Sequence, residues 1–220
     1  MDTQGYGQYI REQIHKWPIG KPLTTVVVAA SLVDAFGIGV DDAKKVTNMN
    51  MKRLADKGEL SRVQRGIYGR VKDTSFGKVS PRPDDLLTAI LLHNGINAIG
   101  YIAGPTLLNR LGLCSLIPGD RHIATNRYRS RLPEDTRIRV YKPILPVNDE
   151  NVPYLQALEA IMAMERYPVD TDRPDEVLRD MLRNNNIDKE KLVLYARRHC
   201  GHKTLLKTID IALGGNDEAS

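Results

Sequence analysis

The chain has few aromatics, two cysteines and no long apolar run, and each shortage closes off a class of protein. Phe, Trp and Tyr make up 5% of the 220 residues, so the hydrophobic 41% must build an aliphatic core. Cys114 and Cys200 lie far apart, which argues against a disulfide framework and fits a reducing cytoplasm. No apolar stretch approaches the roughly 18 residues that cross a bilayer, so a membrane is not an expected partner. The opening MDTQGYGQYIREQIHKW is polar and periodic, unlike a secretory signal.

Catalytic and metal signatures are missing too. There is no Gly-rich phosphate loop ending in Lys-Ser or Lys-Thr, no His-Glu-x-x-His and no Gly-x-Ser-x-Gly. The run RRHCGH brings His199, Cys200 and His202 together. Zinc, however, needs about four ligands in paired spacings, and His15, His93 and His122 supply no second pair. Asp84 and Asp85 open a helix, where the dipole favours carboxylates, and no acid–base role is assigned to them. The expectation is a protein that is not an enzyme, with no catalytic residue, metal or cofactor.

What is present is a local excess of positive charge. The formal charge is +5, and residues 1–80 hold 13 Lys+Arg against 8 Asp+Glu, whereas residues 81–220 hold 19 against 19. The first third therefore carries the whole excess. Such a concentration suits phosphate binding, because each neutralised phosphate releases counterions. A solubilising surface has the same composition, so charge alone does not decide.

The order of elements narrows the choice. Tyr6, Ile10, Ile14 and Trp17 recur at helical spacing over 5–17. PIGKP breaks that helix. Thr24 or Thr25 can cap a second one, TTVVVAASLVDAF, with Val26–Val28, Leu32, Val33 and Phe36 expected to be buried. GIG is a tight turn. A third helix begins near Asp41 and Asp42 and runs to about Lys57, with Gly58 just past its end. ELSRV and GIYGRV then alternate as two short strands around Gln64-Arg65-Gly66. Three helices followed by a two-stranded ribbon is the order of a winged helix-turn-helix.

The fold class expected is mainly α with small β components (α+β). An N-terminal winged helix-turn-helix spans 1–77, a helix-rich α+β domain with a short β-sheet spans 78–214, and 215–220 is a disordered tail. KDTSFGKVSPRP (72–83) is read as the linker between the domains. After it come DDLLTAILLHNG, a helix closed by Gly95, and GPTLLNRLGL, with Pro105 at a first helical position. RHIAT and TRIRVYKP read as strands joined in a basic hairpin. From 150 onward the pattern is helical.

In this fold the outward face of the third helix enters the major groove. That face carries Lys44, Lys45, Asn48, Met49 and Lys52. Asn48 can bond an adenine edge in two places, and lysines can reach guanine or phosphate. Arg62, Arg65 and Arg70 on the ribbon would contact phosphate or an adjacent minor groove. The second domain is polarised: 121–142 holds seven Lys+Arg against two acids, and 149–190 holds 11 acids against five bases. One reading pairs the two segments with each other within the fold. Alternatively Arg127, Arg129 and Arg131 form a secondary contact to DNA or to a partner protein.

RLADKGELSRVQRGIYGR, GYIAGPTLLNRLGL, IATNRYRSRL and ENVPYLQALEAI together resemble the AbiEi-type antitoxin family of bacterial abortive-infection (type IV) toxin–antitoxin systems. The resemblance covers roughly residues 5–165. It implies an antitoxin and transcriptional autorepressor whose winged domain binds repeats in its own promoter, with self-association on that double-stranded DNA. It also implies a nearby nucleotidyltransferase-type toxin, a functional partner that need not bind stably. The alternatives are a stand-alone winged-helix regulator and an enzyme that uses the winged domain as a targeting arm.

Overall fold

The computed structural model describes residues 3–94 and 97–214; the helix stop expected at Gly95 and the tail expected at 215–220 lie outside the described residues. The molecule is mainly helical with small sheets. It divides into two compact units, one ending at Ile90 and the other starting at Leu91.

The first unit runs α1 (Thr3–Lys16), β1 (Pro22–Thr24), α2 (Thr25–Phe36), α3 (Val40–Asp56), β2 (Leu60–Gln64) and β3 (Ile67–Arg70). Thr24 caps α2, its Oγ1 accepting from Val27 N. This satisfies one of the donors that a helix start leaves unpaired. Gly37 ends α2 in the left-handed region at φ 63°, with its N–H on the Val33 carbonyl. A short GIG turn then launches α3.

The core is aliphatic. Ile10 and Ile14 of α1, Val28 and Leu32 of α2, and Met51 and Leu54 of α3 are buried together with Leu23 and Tyr68. Each such side chain contributes about 1.5–3 kcal/mol. One expectation fails here: Val26, Val27 and Phe36 are 71%, 44% and 43% exposed. Successive residues turn about 100° around a helix, so three adjacent valines cannot share one buried stripe. Phe36 keeps edge contacts with Tyr6 and Tyr9 at 5.0 and 5.2 Å.

β1, β3 and β2 form one antiparallel sheet in that order, with Leu23 opposite Tyr68 and Ser61 opposite Gly69. The register shifts between Arg62 and Gln64, and Gly66 turns the ribbon at φ 79°. A side chain at Gly69 would meet Pro81 and Leu86 at about 2.5 Å, so the ribbon needs glycine there.

The segment read as a linker is folded. β4 (Lys72–Thr74) and β5 (Gly77–Val79) pair as a hairpin. Thr74 Oγ1 donates to the Gly77 carbonyl and accepts from Phe76 N. The division between units falls inside α4 (Pro83–Leu92) rather than at 77/78. Pro81 and Leu86 press on Gly69, which ties this stretch to the first unit.

The second unit begins with β6 (His93–Asn94) and β7 (Asn97–Ala98), then β8 (Gly100–Ile102), α5 (Gly104–Arg110), β9 (Arg121–Thr125) and β10 (Ile138–Tyr141). Four helices follow: α6 (Val152–Arg166), α7 (Pro174–Asn184), α8 (Lys189–His199) and α9 (His202–Leu213). β9 is central, antiparallel to β8 but parallel to β10. The basic hairpin expected across 121–142 is therefore a crossover. Parallel strands need a connection of about a dozen residues, and 126–137 supplies it. Asn126 anchors its start, exchanging side-chain hydrogen bonds with the backbone of Val147 at 2.8 and 2.9 Å.

Candidate nucleic-acid interface

α3 buries Ala43, Thr47, Met51 and Leu54. That stripe leaves Lys44, Lys45, Asn48, Met49 and Lys52 exposed on the opposite side. The structure brings these five together on one face, with Met49 46% exposed. Asp41, Asp42 and Asp56 are also exposed on the helix. Lys44 pairs with Asp41 at 3.4 Å and Lys45 with Asp42 at 3.6 Å. Both pairs are solvated, where such bridges contribute about 0–1 kcal/mol, so a phosphate can replace the carboxylate.

The arginines of the ribbon separate. Arg62 and Arg65 are exposed, and the Gly66 carbonyl beside Arg65 accepts from Thr25 N at 3.0 Å, fixing the turn at the start of α2. Arg70 is half-buried, and its Nη1 donates to the Trp17 carbonyl at 3.1 Å. Nearby, Arg11 of α1 hydrogen-bonds Glu59, and this bond holds the Glu59 carboxyl below its ordinary range. Arg11 and Arg70 thus bind α1 to the sheet.

In the second unit the candidates Arg127, Arg129 and Arg131 lie on the crossover. Arg127 Nη2 donates to Asn94 Oδ1 at 3.1 Å. Arg129 is exposed, with its guanidinium 5.4 Å from the Tyr128 ring centroid, and Arg131 is exposed. The acidic segment finds cations beyond the basic one: Asp175 pairs with Lys207 at 2.7 Å and Glu165 with Lys203 at 3.7 Å. Arg139 pairs locally with Asp120 at 2.6 Å.

Sequence reasoning missed a cluster in the same unit. Tyr101, His122 and Tyr141, one from each strand of the β10-β9-β8 sheet, face Glu159 of α6 across a cavity of about 160 Å³. Tyr141 Oη and His122 Nδ1 are 3.0 Å apart, and their rings stack at 5.4 Å. The Tyr167 ring stands edge-on to His122 at 6.3 Å. Glu159 Oε1 accepts from Gly104 N at 3.1 Å. Burial pushes the Glu159 carboxyl up, against the Gly104 N–H and the Arg166 charge. Burial likewise raises the Tyr101 and Tyr141 hydroxyls and lowers His122. These residues are spread from 101 to 167, so no local spacing reveals them. The one local hint is Glu159 itself, an acid inside the apolar run of α6.

A scan against protein-family models and a comparison with curated proteins find no match to this chain.

Proposed function

We propose that the first unit binds double-stranded DNA as a winged helix-turn-helix and that the chain is an antitoxin that represses its own operon. The observation that carries the DNA reading is the element order α1-β1-α2-α3-β2-β3 with sheet order β1-β3-β2, which leaves the polar-basic face of α3 uncovered. α3 lies in the major groove, as the second helix of a helix-turn-helix does. Asn48 reads a base edge, with Lys45, Met49 and Lys52 beside it. Lys44, Arg62 and Arg65 hold phosphates. Arg70 supports the ribbon from behind.

The antitoxin part rests on the resemblance to AbiEi-type proteins across both units. In this reading the chain represses transcription by binding its own promoter and counteracts a nucleotidyltransferase-type toxin encoded beside it.

Fluorescence anisotropy tests the DNA reading. Labelled duplex from upstream of the gene, compared with a scrambled duplex over a salt series, is expected to bind more tightly and with sequence preference. Equal, weak binding to both would overturn it. The antitoxin reading is tested by inducing the adjacent gene with and without this one. Growth arrest relieved by the full chain is expected, and arrest that persists would overturn it.

A further inference from the structure

We infer that the cavity between the β10-β9-β8 sheet and α6 is a nucleotide site that takes the base of a nucleoside monophosphate and holds its phosphate at the mouth. It lies in the second unit, and the inference does not rest on the DNA-binding reading.

The walls are flat. The stacked His122 and Tyr141 rings and the perpendicular Tyr167 ring line the cavity, and aromatic rings at such offset and edge-on geometries suit another planar ring. The space is about 160 Å³, close to the roughly 150 Å³ of a cavity that holds one benzene. It is smaller than the roughly 300 Å³ at which pockets enclose a whole drug-sized ligand. One ring system enters, and the remainder of the ligand stays at the opening.

The polar groups then choose among ring systems. Glu159 commits Oε1 to Gly104 N–H; Oε2 and the Tyr101 hydroxyl belong to the cavity lining and are not among the buried atoms left without a partner, so water entering the cavity serves them. An apolar ring would strand both groups without water or a partner, at a cost in affinity. A ring bearing N–H donors beside an acceptor satisfies them: the N–H meets Glu159 and the acceptor takes the Tyr101 hydroxyl. Every nucleobase has such an edge.

Charge fixes the rest. Lys142 and Arg166 are exposed side chains on the lining, and neither forms an ion pair among the described residues. A simple organic cation would meet two positive side chains against one carboxylate. A simple anion entering the cavity would meet Glu159. A ligand that is neutral and N–H-bearing at one end and anionic at the other fits both, and a base joined through its sugar to phosphate has that layout. Arg166, with its planar fork of donors, is suited to phosphate oxygens.

The test is calorimetry of the full chain with the four nucleoside monophosphates, with ribose 5-phosphate as the control for phosphate alone. Saturable binding of at least one monophosphate, and not of ribose 5-phosphate, is expected. Glu159→Gln keeps an oxygen for Gly104 N–H but turns the free oxygen into a donor. It should weaken that binding about tenfold while leaving the thermal transition in place. Arg166→Ala should weaken the monophosphate and leave the matching nucleoside unchanged. A single-stranded trinucleotide separates sources: tighter binding that Glu159→Gln abolishes means the base is presented by a strand, and weaker or equal binding means a free nucleotide. The α3 variant Lys45→Ala should bind nucleotide as the parent does, so failure of the DNA reading leaves this result standing. No saturable binding to any monophosphate at millimolar ligand, or binding that Glu159→Gln leaves unchanged, would overturn the site.

Discussion

Arg65 is exposed at the turn of the β2–β3 ribbon, whereas Arg70 at the other end gives a guanidinium hydrogen bond to the Trp17 carbonyl. The two should respond differently to the same mutation. Arg65→Ala is expected to weaken binding to every duplex and to flatten the salt dependence by about one unit. Arg70→Ala should leave that slope alone and lower unfolding stability by about 1 kcal/mol, read from a urea midpoint. Asn48→Ala should relax sequence preference instead; unchanged discrimination among operator variants would remove Asn48 from the reading face. His122 supplies a pH test. Burial and Arg139 lower its folded-state pKa, so the unfolded chain takes up the proton first. Its contribution to stability is complete above the ordinary value of about 6.5 and declines as pH falls below it. Glu159, raised by burial, acts in the opposite sense. The difference between parent and His122→Gln in urea midpoints, from about pH 8 to about pH 5.5, isolates the histidine. The parent should lose more stability on acidification than the variant.

At the level of elements, α2 shows how far a hydrophobic pattern can be read. Its existence, its Thr cap and its Gly stop are local features, and they follow from Thr24 and Gly37. Which of its apolar residues face inward depends on what α1 and α3 present, and Val26 and Val27 face out. Leu32→Ala should therefore cost about 2–5 kcal/mol through the cavity it leaves, and Val26→Ser should stay within about 0.5 kcal/mol, both by chemical denaturation. The short strands were harder to read. β1, β4, β5 and β8 have three residues each, too few to establish an alternation. What defines them is pairing, and Gly100 in β8 shows the constraint: a Cβ there would lie 2.4 Å from the Leu91 carbonyl oxygen. The β9–β10 pair illustrates the same limit. Two apolar runs around a polar connection look alike whether the strands turn back or cross over.

For the whole molecule, the charge distribution sets the expected behaviour. The net +5 resides in residues 1–80, and Lys44, Lys45, Lys52, Arg62 and Arg65 are the exposed candidates on α3 and the ribbon. If three to five of them meet phosphate, log K should fall against log salt with a slope of about −3 to −5. A slope near zero would mean that this face contacts protein, not DNA. In the proposed DNA-bound state, exposed Asp41, Asp42 and Asp56 on the same helix would oppose non-specific binding and raise the contrast between correct and incorrect sites.

The local features came from the sequence alone: helix starts and stops at Thr24, Gly37, Gly58 and Pro105, the aliphatic core stripe of α3, and the basic first third. Each depends on backbone preference or on spacing within a few residues. Tertiary structure decided what depends on distant partners. It folded 72–79 into a hairpin, made β9 and β10 parallel, and turned Arg70 into a brace by placing it beside Trp17. It also gathered Tyr101, His122, Tyr141 and Glu159 around one cavity. No spacing encodes that last arrangement, because strands from separate parts of the chain and a later helix must first assemble before those side chains share a wall.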